Sequence, residues 1–445
     1  MKRHPQTHRS RAEGREGAII GVVLIVMLVV SLAGVSMLRM ATADGEEAGT
    51  SVATTRAFWA AEAGLERMKA LAVKRVRPFP LIQVGGVTMF GSNVLSGAVS
   101  GGSYTVDVID DPTWTNATKA LKKYIIRSRG TAGGMTQTVS IRANIESFAT
   151  YMHASHHERA NASTPIYFQP GDRIDGPVYV NDRLNINGGS PNPIFLQRVS
   201  SASNTVNYIN GANSSVFTAG LTLGAPPLDL AGQFTSEHIT DVKNEAASGG
   251  LTLTGDHRVN FNPNGTVTYS PVSGSSTTTV ALSTLNGAIY VNGDAWVNGT
   301  LNGKVTLAAQ DSVFISNRIV YASATNPSPW SAGFITNAVT DMLGLMASNQ
   351  VQIVGTNAVT IHASVMVTSD GGGFNAAARS QAIGGPNINL YGSLSQYRRG
   401  IVSYATTPFQ GFRKNYKYDA RFLSDAPPNF PYSMYVFSEW KSGDS

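Results

Sequence analysis

Three groups of side chains in this sequence have the types and spacing to do chemistry. His153, His156 and His157, followed by Glu158, are imidazoles and a carboxylate close enough together to offer ligands to zinc. Asp172, Asp175, Asp182, Asp256, Asp294 and Asp311 are carboxylates of the kind a polysaccharide lyase or hydrolase needs converging on a groove. Arg413, Lys414, Lys417 and Arg421 interleave with Phe412, Tyr416, Tyr418, Phe422 and Phe430, a mixture that binders of single-stranded nucleic acid also use. Each group has a plainer reading. The histidines sit at a domain junction without helical spacing to align their rings, so a solvated linker is expected there and no metal site. The aspartates form no compact motif, and aspartate is common at turns. The aromatic and basic segment runs into Pro427, Pro428 and Pro431, which stop regular structure, and it reads as a surface sealing the end of a β domain. The chain has no cysteine, which excludes disulfides, thiolate nucleophiles and cysteine metal sites. It also has no G-x-S-x-G, phosphate-loop or HExxH motif. No catalytic residue and no cofactor are expected, and the chain is read as a non-enzyme.

The elements carrying these residues begin with an apolar segment. Residues 18–38 read AIIGVVLIVMLVVSLAGVSML, about 21 residues without a charge, long enough to cross roughly 30 Å of hydrocarbon. Lys2, Arg3, Arg9, Arg11 and Arg15 precede it, and Asp44, Glu46 and Glu47 follow. That asymmetry predicts a single-pass helix with its N-terminus in the cytoplasm and the bulk of the chain exported. Helical spacing continues through Phe58, Ala61, Leu65, Met68 and Ala72, with no proline until Pro78, so one helix of about 85 Å is expected from Ala18 to Lys74, with Gly45 and Gly49 permitting a break. Phe58, Trp59, Leu65 and Met68 are its expected packing residues.

A basic leader ending at Gly17, the segment AIIGVVLIVMLVV, and RAFWAAEAGLERM at 56–68 together resemble the N-terminal domain of PilX-type minor pilins. The resemblance covers about the first 75 residues. It implies cleavage between Gly17 and Ala18 by prepilin peptidase, anchoring in the bacterial inner membrane, and later packing of the helix among other pilin-like subunits. Major pilins carry glutamate at the fifth mature position, where this chain has Val22. An initiating, capping or uncleaved accessory role therefore stays open.

Beyond Pro80, alternation at Tyr104, Val106 and Val108, at Tyr124 and Ile126, and at Val139, Ile141, Ala143 and Ile145 predicts a small antiparallel sheet packed on the helix. From Ile166 onward short apolar triplets recur between Gly, Asn and Asp corners: IYF at 166, VYV at 178, LNI at 184, IYV at 289, VTL at 305, VFI at 313, VTI at 359, VMV at 365 and INL at 388. Their spacing is too short for helical crossovers, and a right-handed parallel β-helix accounts for them best, with a β-sandwich as the alternative. GDRIDGPVYVNDRLNING at 171–188, LYGSLSQYRRGIVSY at 390–404 and GFRKNYKYDARFLSDAPPNFP at 411–431 resemble a domain of unknown function found behind PilX-like anchors.

The expected fold is thus α+β, mainly β beyond its long transmembrane helix. Its expected parts are a leader (1–17), a transmembrane helix (18–40), a helical stalk (41–77), the small sheet (78–148), a linker (149–165), a β-solenoid (166–410) and a C-terminal cap (411–445). The expected function is structural, in assembly or surface presentation by a type IV pilus or type II secretion-like system, with a polysaccharide-directed β-helix enzyme or glycan-binding adhesin as the alternative. Expected partners are the bilayer, other pilin-like subunits and a surface glycan, and nucleic acid is not among them. The bulk should lie in the periplasm or outside the cell.

Overall fold

The computed structural model describes residues 13–74, 76–113, 123–228, 235–324, 339–404, 406–423 and 425–443, with side chains from Ile20 onward. Of the basic leader, residues 1–12 lie outside that set.

One helix, α1 (Glu13–Lys74), runs unbroken for 62 residues, about 93 Å at 1.5 Å per residue. Gly45 and Gly49 do not interrupt it. Its last five turns lie on an antiparallel sheet made of strands Gly91–Val99, Gly102–Asp110, Lys123–Ala132 and Met135–Ser147. Ala57, Ala60, Ala61, Leu65, Met68 and Ala72 are fully buried against Val106, Val108, Tyr124, Ile126, Val139 and Ala143. Small residues let the two layers approach closely. A Cβ on Gly130 would lie 2.0 Å from the Ala57 carbonyl oxygen and 2.3 Å from the Ala61 nitrogen.

A fifth strand of this sheet, Tyr432–Ser442, pairs antiparallel with Met135–Ser147. The segment expected to form a single C-terminal cap is therefore divided, because Arg413–Tyr418 is a strand of the second, larger sheet. Its rings are core residues: Phe412, Tyr416, Phe422 and Phe430 are at most 1% exposed. They belong to the same apolar core as the strands of the large sheet.

The large sheet has 20 strands and is mixed. Among the described residues its pairings are parallel, except where Thr266–Pro271 pairs antiparallel with His257–Asn262 and Thr278–Ala281. The expected triplets fall inside its strands or beside them, apart from LNI, whose strand Leu184–Asn187 pairs with Val206–Ile209 in a separate two-stranded sheet, and IYF, where only Phe168 makes a bridge, to Ile186. The stacking order does not follow the chain. Along one face the rungs run Leu251–Thr254, Ala288–Asn292, Lys304–Ala309, Met342–Ala347, Val359–Val367 and Asn387–Arg398. The next rung is His153–His157, followed by Val178–Val180, Val199–Ser201 and Leu221–Thr222. The strands at 251–398 and those at 153–222 form two runs of this one sheet, and a seam where residues 395–417 meet residues 154–175 joins the run later in sequence to the earlier one. The expected linker at 149–165 thus contains a strand, His153–His157, in the middle of the sheet. A second helix, α2 (Glu237–Ala247), not expected from the sequence, packs through Ile239, Val242 and Ala246 beside strands Leu251–Thr254, Ala288–Asn292 and Lys304–Ala309.

Candidate functional site

The most unusual surface of the chain is the free part of α1. From Val22 to Val52 each side chain is exposed, and positions 21, 34, 45 and 49 have open space around them. Exposed residues include Ile20, Val23, Leu24, Ile25, Met27, Leu28, Val30 and Leu32. This segment is long and apolar enough to cross a membrane. At about 1.5–3 kcal/mol per large apolar side chain, leaving it in water would be unfavourable by tens of kcal/mol, so hydrocarbon or other apolar helices must cover it. The polar groups within it are satisfied locally. The hydroxyls of Ser31 and Ser36 donate to the carbonyls of Met27 and Leu32 at 2.7 and 2.9 Å, which leaves no orphan donor facing the apolar surroundings.

Lower down, the residues expected to pack take three different places. Leu65 and Met68 are buried on the chain's own sheet. Phe58 is half-buried, edge-on to Trp59 at 5.3 Å and to Trp440 of the last strand at 6.4 Å. Trp59 remains 64% exposed. Gly17 and Ala18 lie inside α1, in the stretch whose side chains fall outside the described residues.

The histidine group is not a solvated linker. His153 and Glu158 are buried at the seam, His153 Nε2 lying 2.9 Å from Glu158 Oε1, while Arg399 from the run later in sequence donates to Glu158 Oε2 and to the carbonyls of Ile166 and Tyr167. The Arg399 guanidinium also stacks 3.8 Å from the centre of the Phe168 ring. A second buried pair, Lys414 to Asp172 at 2.7 Å, crosses the same seam. Burial pushes the Glu158 carboxyl up, but the Arg399 charge and hydrogen bonds from His153 and Ser155 outweigh it and hold it at about 2. Burial lowers the His153 imidazole despite Glu158, and lowers the Lys414 ammonium despite Asp172. His156 and His157 instead cluster with Tyr397, at 4.9 and 5.5 Å between ring centres. Among the described residues no three metal-ligating side chains converge.

The six aspartates are dispersed. Asp172 holds Lys414, Asp182 takes a forked pair of bonds from Arg159 at 2.7 and 2.8 Å, and Asp175 accepts from Gln197. Asp256, Asp294 and Asp311 do share one corner of the stack. There Asp256 Oδ1 accepts the Asp294 N–H and Asp294 Oδ1 accepts the Ser312 N–H, so two of the three cap the turn above. Burial, with the charges of Asp256 and Asp311 adding, pushes Asp294 up against the Ser312 bonds. Nothing in the sequence pointed to a cleft of about 640 Å³ between the end of α1, α2 and the last strand, crossed by an Arg77–Asp241 ion pair. The sequence reading also missed Arg399, which no local signal links to Glu158.

A family model described as a domain of unknown function, DUF4900, matches residues 120–204, about a fifth of the chain. The match spans strands Lys123–Ala132 and Met135–Ser147 of the small sheet and the strands from His153–His157 to Val199–Ser201, and includes 171–188, while 390–404 and 411–431 lie outside it. No curated protein matches the chain. Among solved structures, the competence-associated pilin ComZ from Thermus thermophilus aligns with 15% identity over 88% of this chain and 98% of its own, with a TM-score of 0.32, too slight a likeness to establish a shared arrangement.

Proposed function

We propose that the chain is a membrane-anchored, pilin-like structural subunit of the minor-pilin or pseudopilin type, serving assembly or surface presentation in a type IV pilus or type II secretion-like apparatus. The observation that carries this reading is the single helix with two environments: its last turns are seated on the chain's own sheet, and its apolar first half has no partner among the described residues. A lone anchor needs only about 20 apolar residues. Here exposed helix continues well past the charged residues Asp44, Glu46 and Glu47 to Val52, a length suited to lateral packing against similar helices outside the bilayer. The PilX-type leader, the single-pass inner-membrane topology and the absence of catalysis belong to the same proposal. So does the reading of the large sheet as a two-coil parallel β-helix presented outside the membrane, which the rung-to-rung parallel register supports.

The test is site-specific photo-crosslinking in native envelopes, with the photoreactive residue at Val30 on the free helix or at Val87, which is exposed on the small-sheet side. Protein adducts from Val30 and none from Val87 are expected. Lipid adducts alone from Val30 would reduce the helix to an anchor and overturn the assembly role.

A further inference from the structure

One face of the large sheet carries a composition that neither anchoring nor assembly requires. In strands His257–Asn262, Ala295–Leu301, Ser312–Tyr321, Gln350–Ile353 and Phe374–Ala376, alternate side chains enter the core and the others face outward. Strand register sets the outward ones in rows. One row runs Ser270, Arg258, Trp296, Phe314, Gln352, Asn375 across six strands. Beside it run Thr279, Thr268, Asn260 and Asn298. Trp296 and Phe314 stack at 4.8 Å with their planes 28° apart, and both remain partly exposed.

Arg258 is the one charge in the two rows, and it is tied to the Val272 carbonyl at 2.9 Å. The rest is hydroxyl, carboxamide and aromatic carbon. A partner that complements such a strip is uncharged, offers many hydroxyls, and has apolar carbon faces to lay on the ring pair. A peptide or nucleic-acid partner would ask for charge or for deep side-chain pockets. We propose that this face binds an uncharged polysaccharide across the strands, with sugar carbons on the Trp296–Phe314 ridge and hydroxyls bonded by Asn298 and Gln352. The inference rests on the reading that the β region is presented outside the membrane.

The test uses the full chain in a detergent without a sugar headgroup, co-sedimented with cellulose, chitin and insoluble α-glucan, and with a polyanionic glycan as contrast. The wild type should sediment with at least one uncharged polymer. W296A/F314A and, separately, N298A/Q352A should each weaken retention roughly ten-fold, the loss expected of a ring or amide contact at a binding centre, with melting unchanged. If the ring variant fails to fold, the amide variant decides. Retention on no uncharged polymer, retention on the polyanion alone, or retention equal in wild type and a folded variant would each overturn the proposal. None of these outcomes alters crosslinking from Val30, so failure here is distinguishable from failure of the assembly reading.

Discussion

Glu158 and Arg399 are 241 positions apart and meet in the interior, where neither charge is tolerable without the other. Arg399→Leu should destabilise the β region by about 3–5 kcal/mol, because Glu158 would be left buried and unpaired. Adding Glu158→Gln to that change should recover part of the loss, and thermal melting of the two variants checks both statements. The neighbouring histidine gives the pH dependence a sign. The unfolded chain takes up a proton at His153 near 6.5, whereas the folded chain does so only at lower pH. The unfolded state then binds more protons, and stability falls as pH drops below 6.5. Glu158, held at about 2 against an ordinary 4.5, adds a second loss as pH falls through that interval. Melting temperature should decline on acidification, and His153→Gln should flatten the upper part of the decline. A melting temperature that rises on acidification would contradict the assignment. His153 and Glu158 were visible in the sequence as a cluster capable of chemistry. Their partner Arg399 was not, since a residue 241 positions from Glu158 leaves no periodic trace.

At the scale of elements, the contact between α1 and its sheet depends on missing side chains. Gly130→Val would place a Cβ 2.0 Å from the Ala57 carbonyl oxygen, against backbone that cannot yield. Overpacking of this kind costs about 1–3 kcal/mol or more, so hydrogen exchange at residues 57–72 should quicken while the large sheet is unaffected. The periodicity of Ala61, Leu65, Met68 and Ala72 made this face legible, because a 3.6-residue repeat is a local property. Trp59 was legible as apolar but not as exposed, since its place depends on where the last strand lies. That strand, Tyr432–Ser442, reaches Met135–Ser147 from the far end of the chain, and no short-range signal foretells the pairing. The helix α2 did carry a signal, with Ile239, Val242 and Ala246 at i, i+3 and i+7. Eleven residues among turn-rich strands were too few to draw attention to it.

For the whole molecule, composition and triplet spacing pointed to a β-rich body behind an apolar helix, and both are present. The order of the strands was not legible, because short apolar runs recur from strand to strand and do not by themselves specify a neighbour. At the seam, the pairs Glu158–Arg399 and Asp172–Lys414 supply what the hydrophobic pattern lacks, a contact that only one stacking order satisfies. In the proposed role, the free half of α1 is the working surface of an exported, processed subunit. The most direct measurement is mass spectrometry of the N-terminal peptide of the protein purified from its own cell membranes. A peptide beginning at Ala18, N-methylated, is the predicted result. A peptide still beginning at Met1 would contradict processing and leave a fixed anchor whose β region alone must account for its purpose.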